Sequence, residues 1–338
     1  METTSWVPHG YFLGDPVPTY TELRQMQSLP MRLKVLKTIL RIREWYEAHD
    51  GDIYVAFSGG LDSTVLGHIT LQLYPDVPLV FSNTGVELPQ IVDFVKRHES
   101  LQVIRPKHSY KWVTQNYGFP VVSKSVSIAI SRYRTAKDDV QRELRLHGGI
   151  NPTSGKVQRT GLVPKKYHYL IAAPFPISDK CCDILKKQPF EKYDKETGRA
   201  PMTGENAEES APRQERYLKT GCNYYGKEKH KSTPMGFWRH QDVLEYIVTN
   251  KVPYCRAAYG DIVISQGCKL RTTGCRRTGC YVCMFGLQHE CPENNRFIQL
   301  EETNPREHQI TMEGYGQAKV MDFMGIPYSR KMIKTEGF

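Results

Sequence analysis

The segment SGGLDST, residues 58–64, holds the residue types that grip a phosphate by its oxygens. Gly59 and Gly60 admit positive φ and place no side chain in the path of an incoming anion. The backbone N–H groups that open the helix carrying Leu61, Asp62 and Ser63 point into the same space, and the helix dipole there favours negative charge. The hydroxyls of Ser58, Ser63 and Thr64 add donors. The loop lacks the lysine of G-x-x-x-x-G-K-[ST], so it is not a Walker loop. Asp62 is placed either to cap the helix or to hold Mg²⁺, and both roles stay open.

A second group of residues could do metal chemistry. The chain has nine cysteines. Cys181 and Cys182 are adjacent, and about a hundred residues later Cys280 and Cys283 form C-x-x-C. Two thiolates from each segment complete a tetrathiolate site, which suits an iron–sulfur cluster and also tetrahedral Zn²⁺. A local set competes with this split one: Cys275, Cys280, Cys283 and Cys291, with Cys268 in reserve. A C-x-x-C can also be a redox dithiol, but no thioredoxin-like strand-to-helix pattern surrounds this one. Cys222 and Cys255 read as small buried residues.

The elements that must position these groups follow from periodicity. The short apolar run IYVAF, residues 53–57, precedes the glycine loop and reads as a strand buried on both faces. After the loop, Val65, Leu66, Ile69 and Leu73 share one helical face. PLVFS (residues 78–82) is a second strand, LPQIVDFVKRHE (residues 88–99) a helix and LQVIRP (residues 101–106) a third strand. This rhythm predicts an α/β fold, an open parallel sheet with helices on both faces. Residues 19–47 read as helix interrupted at Pro30, with Leu33, Leu36 and Leu40 at helical spacing. WRHQDVLEYIVTN, residues 238–250, is a further helix with Val243, Leu244 and Ile247 inward. Residues 124–170 and 186–220 read as loops and short helices over the sheet edge. The expected division is a helical extension over 1–48, a nucleotide-binding domain over 49–250 and a Cys-rich appendage over 251–338.

Composition sets the context. No run of some 18 apolar residues occurs, so no membrane span is expected. The opening METTSWVPHGYFLGDP lacks a signal-peptide layout, which predicts a cytoplasmic protein with reduced thiols. The balance of 46 Lys+Arg against 36 Asp+Glu gives +10, which suits a nucleotide or nucleic-acid partner.

SGG followed by Asp-Ser after a first strand resembles the PP-loop of the adenine nucleotide α-hydrolase superfamily. Most members cleave ATP between its α and β phosphates, with the loop holding the departing pyrophosphate. FSNTGVELPQ, residues 81–90, resembles the D-T-G-x-E-x-P-E segment of phosphoadenylyl-sulfate reductases, which makes Thr84, Gly85 and Glu87 candidates for the nucleotide or metal side. YGFPVVSK, KCCDILKKQPF, GENAEESAPRQER, GCNYY, FWRHQDVLEYI and RTGCYVCMFG look like the same family, so the likeness runs from about residue 49 to about 300. It is stronger to reductase-like proteins of bacteria and phages, whose relatives include the ATP pyrophosphatases of DNA phosphorothioation, than to true reductases. True reductases use a cysteine in a C-terminal Glu-Cys-Gly-Leu-His tail. Here the last cysteine is Cys291, in GLQHECPENN, and the 47 residues after it hold none. The Cys-Cys plus C-x-x-C pattern is similar to the [4Fe–4S] site of adenylyl-sulfate reductases, whereas the local cysteine set resembles the phosphorothioation enzymes.

The resemblance implies an ATP α,β-pyrophosphatase that adenylates an acceptor for sulfur transfer. ATP and Mg²⁺ would meet residues 58–64, with Asp62, Ser63, Lys187 and Arg213 as catalytic candidates and Lys186, Arg216, Arg271, Arg276 and Arg277 as further cations. A cysteine desulfurase is the expected sulfur donor, and DNA or tRNA the expected acceptor. Arg132, Arg134, Arg142 and Arg145, interleaved with Tyr133, are where nucleic acid would be met. His68 and His289 read as structural. Two rival functions remain: a sulfonucleotide reductase using an external thiol, and a silent nucleotide-binding regulator.

Overall fold

The computed structural model describes residues 17–152, 154–226, 230–265 and 267–333. The chain forms two compact units, each assembled from separated segments. One takes the residues up to Asn83, Pro89–Ile104 and Phe190–Thr278; the other takes Thr84–Leu88, Arg105–Pro189 and the residues from Gly279. These divisions do not follow the linear boundaries at 48 and 250, because strands distant in sequence complete one sheet.

The first unit holds a six-stranded sheet. Its strands are β1 (Ile53–Ala56), β2 (Leu79–Ser82), β3 (Leu101–Ile104), β4 (Ala200–Thr203), β5 (Asn223–Tyr225) and β6 (His230–Ser232). The spatial order is β3-β2-β1-β4-β6-β5, parallel except for β5 at the edge. Ile53, Val55, Leu79 and Val80 are fully buried, worth about 1.5–3 kcal/mol each. From β1 the chain builds β2 and β3 to one side and later returns to lay β4 on the other. The gap between β1 and β4 is therefore the sheet's topological switch point, and ligands of open α/β sheets bind beyond the carboxyl ends there. β4 lies where residues 186–220 were expected to form only loops and short helices. Its sequence, APMT, carries no apolar run and a proline, and it is a strand because β1 pairs along it from Ile53↔Ala200 to Ala56↔Thr203.

The N-terminal helices are Tyr20–Ser28 and Met31–Ala48, separated at Pro30. The second buries Lys34, Thr38, Ile42 and Trp45 and leaves Leu33, Leu36 and Leu40 about half exposed. Polar partners turn it this way: Lys34 Nζ meets Asp242 Oδ2 at 2.6 Å, and Thr38 Oγ1 accepts from Trp238 Nε1 at 2.9 Å. The helix His240–Asn250 buries Val243, Leu244 and Ile247, as its periodicity predicts.

The second unit is mostly helical, with a core of Val86, Tyr110, Val113, Cys181, Ile184, Leu185 and Val282. Its helix Lys124–Arg134 lies where basic composition suggested interrupted structure. Arg134 in that helix donates to the carbonyls of Leu170, Ile171, Ala173 and Phe175 at 2.6–3.1 Å. It fastens a loop, which corrects its reading as a nucleic-acid contact. Among the described residues no helix is long and apolar enough to cross a membrane.

Candidate phosphate loop and thiol centre

In the first unit the loop leaves β1 and enters the helix Leu61–Leu73. Gly59 has φ +70°, and a Cβ there would lie 2.6 Å from Val95 Cγ2, so glycine is required twice over. The N-cap is Gly60, without a side-chain cap; at the start of the helix the Leu61 N–H meets the Tyr259 hydroxyl and the Asp62 N–H meets its own carboxylate. Ser63 Oγ donates to the Gly60 carbonyl at 3.0 Å and lies 3.1 Å from Ser58 Oγ, fixing the loop's curve. Beyond the neighbouring strand end, Gly204 presses on the same helix start: a Cβ there would fall 2.9 Å from the Asp62 carbonyl carbon and the Ser63 nitrogen.

Asp62 is not the N-cap residue, though its carboxylate takes its own backbone N–H in the first turn. Its Oδ1 accepts from Asn206 Nδ2 at 2.8 Å. Burial raises its pKa, while the charges of His240 and Arg277 and the hydrogen bond from Asn206 pull the other way. Thr203 Oγ1 and Asn206 Oδ1 are buried and have no hydrogen-bond partner. Two orphaned oxygens and a carboxylate beside a glycine-capped helix N-terminus fit a hydrated divalent cation carrying phosphate. Arg213 is paired with Glu209, and Arg277 reaches the same carboxylate at 3.9 Å. Next to Asn206 lies a cavity of about 210 Å³ whose lining includes Glu205, Arg213, Arg216 and Lys231. Glu205 bridges Lys231 at 2.7 Å and Arg216 at 3.2 Å. His68 contacts Tyr246 Oη at 3.1 Å, a packing role.

In the second unit, Cys181 and Cys182 sit on a helical turn, Lys180–Cys182, that widens into a π-helical turn, Asp183–Lys187. Cys280 and Cys283 close their own turn, with the Cys283 N–H donating to the Cys280 carbonyl at 3.0 Å. That turn is tied to the candidate segment 84–87: Glu87 bridges Cys280, and Tyr281 N donates to Val86 O at 2.9 Å. Thr84 in turn holds Glu87, through Oγ1 at 2.6 Å and its N–H at 3.0 Å. Gly85, between them, has φ +77°.

The four sulfurs feel one another's charge. Cys181 donates to Cys182, which raises Cys181 and lowers Cys182. Burial raises Cys283 and pushes Cys280 up to about 11, with neighbouring thiols contributing to both. Lys186 faces this group: the charge of Cys280, with those of Glu87 and Cys182, raises its ammonium further. Lys187 instead pairs with Asp183 at 2.7 Å and is exposed. Cys275 has Cys255 as its electrostatic neighbour, and Cys291 is exposed and donates to Glu293 at 3.0 Å. The split set of cysteines is thus brought together, and the local set is not.

No group of three or more His, Cys, Asp or Glu side chains among the described residues is arranged to hold a metal ion. A tetrahedral zinc site needs four sulfurs about 2.3 Å from one point. Four soft thiol donors from two segments suit an iron–sulfur cluster and also zinc. Tyr110 has no signal in local sequence, and the roles of Gly204 and Asn206, inside the family-like GENAEESAPRQER, and of Lys186 show only through partners remote in the chain.

The chain belongs to the phosphoadenosine phosphosulfate reductase domain family, whose model matches residues 52–123 and 112–285. A phosphoadenosine 5'-phosphosulfate reductase of Photorhabdus laumondii is 29% identical over 106 residues, 29% of this chain and 43% of that protein. An uncharacterised protein of Methanocaldococcus jannaschii is 21% identical over 278 residues, 80% of this chain and 49% of that protein. The chain spans less than half the length of these curated relatives. Among solved structures, a phosphoadenylyl-sulfate reductase from Candida auris aligns at TM-score 0.36 and 17% identity, over 72% of this chain and 92% of that one. A tRNA thiolase from Methanococcus maripaludis with its [4Fe–4S] cluster aligns at TM-score 0.33 and 14% identity, over 90% and 82%.

Proposed function

We propose that the protein is an ATP α,β-pyrophosphatase that adenylates an acceptor for sulfur transfer. The observation that carries this reading is the glycine-capped helix N-terminus of SGGLDST at the switch point between β1 and β4. Backbone donors there suit the diphosphate end of a nucleotide and bear no side chain that would react with it. Asp62 and Asn206 would hold Mg²⁺, which when bound neutralises charge building on the leaving pyrophosphate. Ser58 and Ser63 orient the chain of phosphates, and Arg213 and Arg277 add positive charge near Asp62. An acceptor oxygen attacks the α-phosphorus, the bond to the bridging oxygen breaks, and pyrophosphate leaves with its electron pair. A sulfur nucleophile then displaces AMP from the acceptor.

In the second unit Cys181, Cys182, Cys280 and Cys283 would hold a [4Fe–4S] cluster, which when bound ties those segments together and supplies iron with an affinity for sulfur. Lys186 balances part of the thiolates' negative charge. The cationic side chains lining the 210 Å³ cavity suit an anionic acceptor, such as nucleic acid, and a cysteine desulfurase is the proposed sulfur source.

The family match favours a second reading, reduction of a sulfonucleotide by an external thiol. Products separate the two. With ATP, Mg²⁺ and a thiolation acceptor, the protein should release AMP and pyrophosphate. ADP and phosphate would refute the proposal, and sulfite released from phosphoadenylyl sulfate with a dithiol would establish the rival.

A further inference from the structure

We infer that the Tyr110 hydroxyl donates a hydrogen bond to the metal centre held by the four thiols and so tunes it; this rests on the cluster reading above. Tyr110 is 2% exposed, and its Oη is buried with no hydrogen-bond partner. A buried hydroxyl left unmet carries a desolvation cost that a phenylalanine of the same shape would not. The ring packs in one core cluster with Cys181, and Cys182 and Cys280 lie against that cluster. Three of the four sulfurs, those of Cys181, Cys283 and Cys280, act electrostatically on the phenol.

The alternatives on the page do not satisfy this hydroxyl. Tyr315 meets Tyr110 edge to face, with ring centroids 5.2 Å apart, a contact between rings that leaves the oxygen bare. The backbone fixes the phenol's approach as well. Tyr110 opens the helix Tyr110–Asn116, and the N-cap Ser109 accepts from Trp112 N at 3.2 Å. A phenol is protonated near neutral pH, so it keeps a proton to give. Thiolates bound to iron have none, and they belong to the core that the ring shares with Cys181. Hydrogen bonds to the sulfurs are among the groups that set a cluster's reduction potential.

The experiment is a redox titration of anaerobically purified full-length protein, with iron content measured alongside. Tyr110→Phe should keep parental iron and colour, while its midpoint moves to a more negative potential, because the lost hydrogen bond favoured the more negative reduced form. Replacing Tyr110 with 3-fluorotyrosine, a nearly isosteric and stronger donor, should move the midpoint the other way. It serves as the decisive arm if the phenylalanine variant fails to fold. An unmoved or reversed midpoint in iron-loaded protein overturns the role of Tyr110 alone. Iron-free parent protein overturns the cluster reading and this inference with it.

Discussion

The two units solve the problem of building a site in opposite ways. The phosphate loop is made of backbone, drawn from adjacent residues between one strand and one helix, and its Ser58 and Ser63 hydroxyls lie against each other. The thiol centre is made of side chains from separated segments, and it contains an adjacent thiol pair and an orphaned phenol. A backbone site is preorganised before its ligand arrives. A side-chain site of buried thiols is left with unmet charge and hydrogen bonds until a guest supplies them. The first should tolerate loss of ligand, and the second should depend on it.

The largest expected effect breaks one unit without the other. Cys280→Ser and Cys283→Ser should each abolish bound iron and brown colour, and Cys182→Ser should do the same. Cys275→Ser and Cys291→Ser should leave iron at the parental level. In all five variants ATP affinity by calorimetry should stay within about twofold of the parent, since sites without shared partners act independently. Colourless parent protein with one zinc per chain would instead give the four thiols a structural ion.

The converse break is Gly204→Ala. Its new Cβ would meet backbone atoms of Asp62 and Ser63, which cannot yield as a flexible side chain can. A cost of about 1–3 kcal/mol is expected, with a tenfold or greater loss of ATP affinity and unchanged iron. Parental affinity in that variant would separate Gly204 from the loop's function.

Asp62→Asn sharpens the comparison, because binding and stability should move in opposite directions. Burial lifts the folded-state pKa of Asp62 above its unfolded value, so the folded protein holds the proton more tightly. Stability from this group is present below the unfolded pKa of about 3.9 and is lost as pH rises through the folded pKa. Above that range the buried group therefore weighs against folding, and a bound cation relieves it. The asparagine variant should melt higher than the parent without ligand at pH 7, lose that advantage at low pH, and bind ATP with Mg²⁺ about tenfold more weakly. A lower melting temperature at pH 7 would show that Asp62 is already paid for by its neighbours.

What could be read from sequence follows the same line. The glycine loop, β1 to β3 and the helix His240–Asn250 were legible because periodicity and punctuation are local. β4 was not, since pairing with β1 makes it a strand and its own residues do not. The stripe Leu33, Leu36, Leu40 predicted a helix correctly but not its orientation, which Lys34 and Thr38 set through Asp242 and Trp238. Cysteine spacing left two ligand sets open, and only the fold brings Cys181 and Cys182 beside Cys280 and Cys283.

The smallest effect tests two adjacent lysines, of which the sequence makes Lys187 the catalytic candidate and Lys186 a further cation. Lys187 is exposed, and its ion pair with Asp183 joins residues four apart on a helical turn. Such pairs are worth about 0.3–0.5 kcal/mol, and Lys124 also reaches Asp183, at 3.2 Å, so the carboxylate keeps a partner. Lys187→Ala should therefore change melting temperature by no more than about a degree or two and leave iron and ATP turnover within about twofold. Lys186 faces Cys280, Cys182 and Glu87, where its charge opposes the repulsion of gathered thiolates. Lys186→Met, which keeps the stem and removes the charge, should lose iron faster to a chelator than the Lys187 variant does. Equal rates for the two would mean that the thiol centre does not use the cation beside it. A large turnover loss in Lys187→Ala alone would return that residue to the catalytic role its place in KCCDILKKQPF suggests.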